Sequence, residues 1–190
     1  MAESKALDLL LEGNARFVEG RTTVEPMSRE DRESLANTQT PNAAVIACAD
    51  SRVAPELIFD QPLGSIFCSR VPGNVASDSA KWMIDIAVGE FNVPLLLVLG
   101  HTGCLAIQQV LEGKEGSGGL LRYQVQSAVN EAKRGGPIDL LNRAIEQNAR
   151  DTVKNLLTES HHLRNAVRED RILVKAGIYD MRSGVVRLVD

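Results

Sequence analysis

The sequence predicts a single α/β domain with a largely parallel central sheet flanked by helices. Three observations carry that expectation. The runs at 43–48 (Ala-Ala-Val-Ile-Ala-Cys) and 94–100 (Pro-Leu-Leu-Leu-Val-Leu-Gly) are apolar throughout rather than alternating, as in strands covered on both faces. Stretches with helical periodicity separate the apolar runs, which is the alternation of a parallel sheet with crossover helices. The 190 residues hold no internal repeat, low-complexity tract or compositional break, so one domain over 1–190 is expected.

Each element follows from local chemistry. Ala6, Leu7, Leu10, Leu11, Phe17 and Val18 form one face of a helix over 3–19 that Gly20 ends. Ser28 followed by Asp31 predicts a capped start to a short polar helix reaching Ala36. After the breaker Thr40-Pro41 comes the strand at 43–48, then a helical turn over 55–59 with Pro55 near its start. A second strand is expected at 65–70, and a helix over 77–91 with Ser77 as N-cap. The strand at 94–100 is followed by helices over 104–111, 120–134 and 138–160. Gly-rich stretches at 113–119 and Gly135-Gly136-Pro137 separate these helices. Short strands at 171–176 and 185–189, joined through Ser183-Gly184, close the domain.

Composition removes several functional classes. With 21 Lys+Arg against 25 Asp+Glu and only 4 Phe, 2 Tyr and 1 Trp, no basic stripe or stacking platform for nucleic acid is expected. No apolar run approaches the roughly 20 residues that cross a bilayer, so no membrane role is expected. The opening MAESKALDLLLEGNARF lacks a basic region followed by an apolar one, and the cysteines number three, an odd count. The expectation is therefore a cytoplasmic protein without a disulfide framework.

The candidate site lies at strand ends, where open α/β sheets gather their chemistry. Cys48 ends one apolar run; His101 ends another, three residues before Cys104. If those strands are neighbours, two thiols and an imidazole converge, which is one of the open catalytic zinc sets. Taken singly, each thiol reads as a buried core residue, and a closed structural zinc would need a fourth protein ligand. Asp50 is the candidate for that ligand. Either it bonds the metal, or Arg52 holds its carboxylate in a bidentate pair and leaves the position to water. An ordinary loop ion pair is the plain alternative for these two. Cys68, inside its strand run, reads as a core residue; Asp78 and Trp82 read as capping and packing residues, and His161 and His162 as solvent-facing.

Cys48-Ala49-Asp50-Ser51-Arg52-Val53 and Gly100-His101-Thr102-Gly103-Cys104 resemble the corresponding motifs of the β-class carbonic anhydrases. Arg70-Val71-Pro72-Gly73-Asn74 and the closing Gly177-Ile178-Tyr179-Asp180 with Ser183-Gly184 extend the resemblance over most of the chain. It implies a β-carbonic-anhydrase-like domain with an N-terminal helical arm (1–38) and a zinc-binding core (43–190). It implies one Zn2+ per subunit on Cys48, His101 and Cys104, with Asp50 and Arg52 as a catalytic dyad and Asp50 as fourth ligand in a closed state. Gln39 matches the position whose amide hydrogen-bonds substrate across a dimer interface, and Phe67 matches an apolar wall of the carbon dioxide pocket. The implied activity is reversible hydration of carbon dioxide to bicarbonate and a proton through zinc-bound hydroxide, in a homodimer or dimer-based oligomer.

Some positions depart from the family pattern. Leu105 stands for the usual Gly, Val71 and Pro72 alter the usual Arg-Asn-x-x-Asn stretch, and Ile86 stands where plant-like members often carry Tyr. These keep two alternatives open: a related zinc hydrolase acting on carbon disulfide or carbonyl sulfide, and a zinc-binding homologue with impaired catalysis. Val45 occupies the place of a Trp common in members with an inhibitory bicarbonate site, so no such site is expected.

Overall fold

Among the residues that the computed structural model describes, 2–117 and 119–189, five strands pair into one sheet. They are β1 (Ala43–Ala47), β2 (Ile66–Arg70), β3 (Leu95–His101), β4 (Leu173–Tyr179) and β5 (Val186–Val189), in the order β2-β1-β3-β4-β5. β1 runs parallel to both β2 and β3, β3 runs parallel to β4, and the β4–β5 hairpin is antiparallel. Every residue of β1 and β3 is buried, which is why neither sequence alternates.

Helices cover both faces. On one, α1 (Ala2–Val18) and α3 (Pro55–Ile58) supply Leu10 and Ile58 to a cluster with Ala43, Val45, Leu95, Leu97 and Leu99. On the other, Ala44, Ile46, Leu96 and Val98 meet α4 (Asp78–Gly89), α5 (Leu105–Leu111), α6 (Gly119–Arg134), α7 (Leu140–Glu159) and α8 (His161–Arg168). Gly118, inside the loop expected at 113–119, lies outside the described residues. The remaining helix, α2 (Arg29–Leu35), has the anticipated capping box: Ser28 Oγ accepts from the Asp31 N–H, and the Asp31 carboxylate accepts from the Ser28 N–H. None of its residues is buried.

The helix expected over 138–160 is followed by a second one, α8, that the sequence reading did not separate. Ser160 ends α7 and begins α8. Its Oγ accepts from the Leu163 N–H and donates to Asp85 on α4, so a tertiary contact fixes the break. A 3-10 turn at Pro72–Asn74 was likewise unforeseen. Trp82, assigned to packing, is 71% exposed on α4.

α1 docks on its own sheet. A Cβ on Gly13 would lie 1.8 Å from the Phe59 carbonyl oxygen, so only glycine permits this approach. The next residue, Asn14, is buried and bonds three backbone groups: it donates to Ile58 O and Gly184 O and accepts from the Val186 N–H. Arg16 then meets Asp60, whose carboxylate also accepts from the N–H groups of Thr23 and Val24 and from the Thr23 hydroxyl.

Burial alone would raise the Asp60 carboxyl, but the Arg16 guanidinium and these donors outweigh it and hold it at about 2. A folded value below the unfolded value of about 3.9 means stability that is complete above that pH and lost as pH falls toward 2. Asp60→Asn is expected to lower the urea midpoint at pH 7 and to flatten its decline between about pH 4 and 2; urea titrations across that window check both effects.

Candidate metal centre

The sheet order reverses at β1, which has β2 on one side and β3 on the other, and the crevice between β1 and β3 is the switch point where such sheets bind ligands. Cys48 is the first residue beyond β1, and His101 is the last residue of β3. Cys104 caps α5 after a tight turn in which Gly103 adopts φ +67. The register that pairs Ala47 with Leu99 brings these two strand ends level.

The three side chains meet. Cys48 Sγ and Cys104 Sγ are 3.9 Å apart, and the potential ligand atoms of Cys48, His101 and Cys104 all lie within 4.8 Å of one another. Two sulfurs about 2.3 Å from a tetrahedral ion are about 3.8 Å apart, so the pair already has the required spacing. The imidazole is prepared as well. His101 Nδ1 lies 3.0 Å from the Thr102 carbonyl oxygen, which can only accept, so Nδ1 carries the proton. The Nε2 lone pair is left facing inward, fully buried and without a hydrogen-bond partner among the described residues. A buried acceptor left bare beside two thiols is what a soft divalent cation would satisfy, and the donor set fits zinc.

The thiols are electrostatically linked. The hydrogen bond from the Cys104 thiol favours the Cys48 thiolate against the cost of burial. His101, the Gly73 N–H and the Asp50 N–H add to the effect. The same thiolate, with burial, pushes Cys104 upward. The two shifts run in opposite directions, so Cys48 is the readier thiolate of the pair, and a divalent ion would displace the remaining thiol proton.

Asp50 stands beside the triad and outside its group of mutually close ligand atoms. Its Oδ1 accepts from Arg52 N–H and Nε, each at 3.0 Å, and its Oδ2 accepts from Arg52 Nη2 at 2.8 Å. Those Arg52 hydrogen bonds, chiefly, hold the carboxyl well below the usual carboxylate range. Of the two arrangements open on sequence grounds, the structure has the bidentate one. Arg70, which the motif reading gave no role, braces the same loop: Nε donates to Cys48 O at 3.1 Å, and Nη2 bonds Asp50 O. The Gly73 N–H points at Cys48 Sγ, 3.4 Å away. The glycine after Val71-Pro72, which adopts φ +73, is the one sequence signal for that contact.

The two other expected site residues lie elsewhere on the same subunit. Gln39 is exposed and lines a groove of about 800 Å³ with Thr38, Leu63, Gly64 and Phe91. That groove is at the amino end of β1, and β1 itself spans about 16 Å, so Gln39 is not brought to its own triad. Phe67, on β2 opposite Ala44, is half-buried and stacks edge-on against Phe91 at 5.1 Å. Cys68, expected in the core, is only half-buried on edge strand β2, and burial is the main cause that pushes its thiol up to about 12. His161 and His162 are exposed at the start of α8, as expected.

Comparison with known proteins agrees with this geometry. The family model for carbonic anhydrases matches residues 43–186. Carbonic anhydrase 2 of Mycobacterium tuberculosis (strain ATCC 25618 / H37Rv) is 34% identical over 187 residues, covering 95% of this chain and 90% of the relative. The carbonic anhydrase of Mycolicibacterium smegmatis is 43% identical over 113 residues, covering 57% of this chain and 55% of that one. Among solved structures, the β-carbonic anhydrase CafA of Aspergillus fumigatus superposes with a TM-score of 0.72 at 28% identity, covering 98% of this chain and 90% of that one. A tetrameric β-carbonic anhydrase of Sordaria macrospora shares the fold, with a TM-score of 0.73 at 21% identity over 97% of each chain. With a match over most of its length and the motif residues gathered at one strand-end crevice, the chain belongs to the β-carbonic anhydrase family.

Proposed function

We propose that this chain is a carbonate dehydratase, catalysing reversible hydration of carbon dioxide to bicarbonate and a proton with one Zn2+ held by Cys48, His101 and Cys104. The observation that carries the reading is the bare, buried His101 Nε2 facing two thiols while Arg52 keeps Asp50 aside. When bound, zinc supplies Lewis acidity and a nucleophile at neutral pH.

The chain's own residues supply orientation. Asp50, fixed as a carboxylate by Arg52, can only accept hydrogen bonds. It takes the proton side of the attacking O–H and leaves an oxygen lone pair facing the carbon of carbon dioxide. The new C–O bond gives bicarbonate, and the surplus proton of the water leaves to buffer. Arg52 donates to both Asp50 oxygens, and Arg70 holds the backbone of Cys48 and Asp50, so the carboxylate need not reorganise during attack. Phe67, which stacks on Phe91 of the Gln39 groove and away from its own triad, is proposed as an apolar wall for the substrate of an opposite subunit.

The proposed assembly is a dimer or a dimer-based oligomer in the cytoplasm, the arm (1–38) and core (43–190) each meeting a partner subunit. Gln39 would reach the opposite subunit's carbon dioxide site. This reading is supported by the distance of Gln39 from its own triad, by the absence of buried residues on α2, and by the exposed Trp82, Ile86 and Phe91 near edge strand β2. No helix among the described residues is long and apolar enough to cross a membrane.

Cys48→Ser is expected to lose stoichiometric zinc and to reduce kcat/KM by more than about 100-fold, because even outer-shell changes cost 10- to 100-fold. Metal analysis with stopped-flow hydration tests this, and full zinc content with parental rate would overturn the ligand assignment. Arg52→Ala is expected to return the Asp50 carboxyl toward about 4 in an NMR titration of metal-free protein and to lower kcat/KM by about 10- to 100-fold. Gln39→Ala and Cys48→Ser subunits, each inactive alone, should regain roughly a quarter of parental activity when mixed and reassembled. A Gln39 that served its own subunit would give no recovery.

A further inference from the structure

We infer that Asn148 is a positioning residue of the metal centre: from α7 it clamps the Gly73 carbonyl and thereby aims the Gly73 N–H at the Cys48 sulfur. The inference rests on the reading of Cys48, His101 and Cys104 as metal ligands.

Asn148 is out of place by ordinary packing rules. It is 1% exposed in the middle of the buried face of α7, between Ala144, Ile145, Ala149 and Leu156. Asparagine is a poor helix former, and its amide is costly to bury unless bonded. Its partner is distant in sequence: Nδ2 donates to the Gly73 carbonyl at 2.6 Å, across 75 residues. On the other side of the same α-carbon, the Gly73 N–H donates to Cys48 Sγ at 3.4 Å.

The intervening backbone needs restraint. Gly73 has φ +73 and is followed by Asn74 at φ +45, two successive residues in a region that L side chains rarely adopt. Asn74 does not hold the turn through its side chain, since both amide atoms are buried without a hydrogen-bond partner among the described residues. A Cβ at Gly73 would press on Val125 Cγ2 at 3.1 Å, so the turn is wedged against α6 as well. Asn148 acts through conformation. The carbonyl it binds belongs to the next peptide unit, so it fixes the turn instead of polarising the N–H directly.

The same helical turn braces the other ligand strand. A Cβ at Gly100, the residue before His101, would lie 3.5 Å from Ile145 Cγ2 and 3.7 Å from Ala149 Cβ. One turn of α7 therefore touches the Gly73 loop through a hydrogen bond and the root of His101 through van der Waals packing. An N–H directed at a ligating sulfur withdraws charge from it, so the clamp sets how strongly Cys48 donates to a metal.

The test uses cobalt(II) as probe, with affinity read by chelator competition and the sulfur-to-cobalt charge-transfer band read in the near ultraviolet. Parent chain, Asn148→Leu, Asn148→Asp and Thr152→Val are compared, with circular dichroism as the check on folding. Thr152 is buried one turn further along α7 and is the control for general helix damage. Both Asn148 variants should bind cobalt about 10- to 100-fold more weakly with a shifted band, whereas Thr152→Val should stay within about twofold of the parent with an unmoved band. Parental affinity and band in the Asn148 variants, or equal losses in Thr152→Val, would overturn the inference while leaving the metal reading intact. Collapse of both Asn148 variants would also overturn it, by making the residue a folding determinant only. A parent chain that takes up no cobalt would overturn the metal reading and this inference together.

Discussion

The parallel register between β1 and β3 fixes where everything else in the centre can be. Ala47 faces Leu99, so the chain leaving β1 and the last residues of β3 emerge side by side, and Cys48 and His101 reach a common point. A slip of two residues would keep every apolar side chain on its proper face yet move one ligand along the strand by about 6.6 Å. That displacement exceeds the 4.8 Å within which the three ligand atoms now gather. Burial specifies faces; the register depends on shape, including the close packing of α7 on Gly100.

Charge is arranged around that constraint. Two thiolates opposite a divalent cation are neutral in sum, and Asp50 with Arg52 forms a second neutral pair beside them. Two buried thiolates side by side would be costly alone, which is why the Cys48 thiolate pushes the Cys104 thiol upward. The Thr102 carbonyl accepts from the His101 Nδ1–H, so Nε2 is the ring nitrogen left for the metal. With a divalent cation bound, the centre would therefore carry no uncompensated charge.

Much of this was legible in the sequence because strand ends and ligand types are local signals. The runs leading to Cys48 and His101 lack alternation, and that lack reports two-sided burial directly. The pairing of Asp50 with Arg52 was not legible, since the same spacing also allows a carboxylate turned toward a metal. Ser160 was read as a helix end, but the helix beyond it was not seen, because the cap is completed by Asp85 some 75 residues away. Asn148 and Arg70 were invisible as site residues for the same reason: each acts on a backbone group that only the tertiary fold brings near. Trp82 misled in the opposite direction, since an apolar residue on a helix need not face its own core.

The docking of α1 has a temporal consequence. The partners of Asn14 include Gly184, 170 residues further along, and Val186 just beyond it. At ordinary elongation rates α1 is synthesised on the order of ten to thirty seconds before its seat is made. During that interval the apolar stripe of α1 lacks the surface that later covers it. Synthesis of the β4–β5 hairpin therefore decides when α1 stops being available to others.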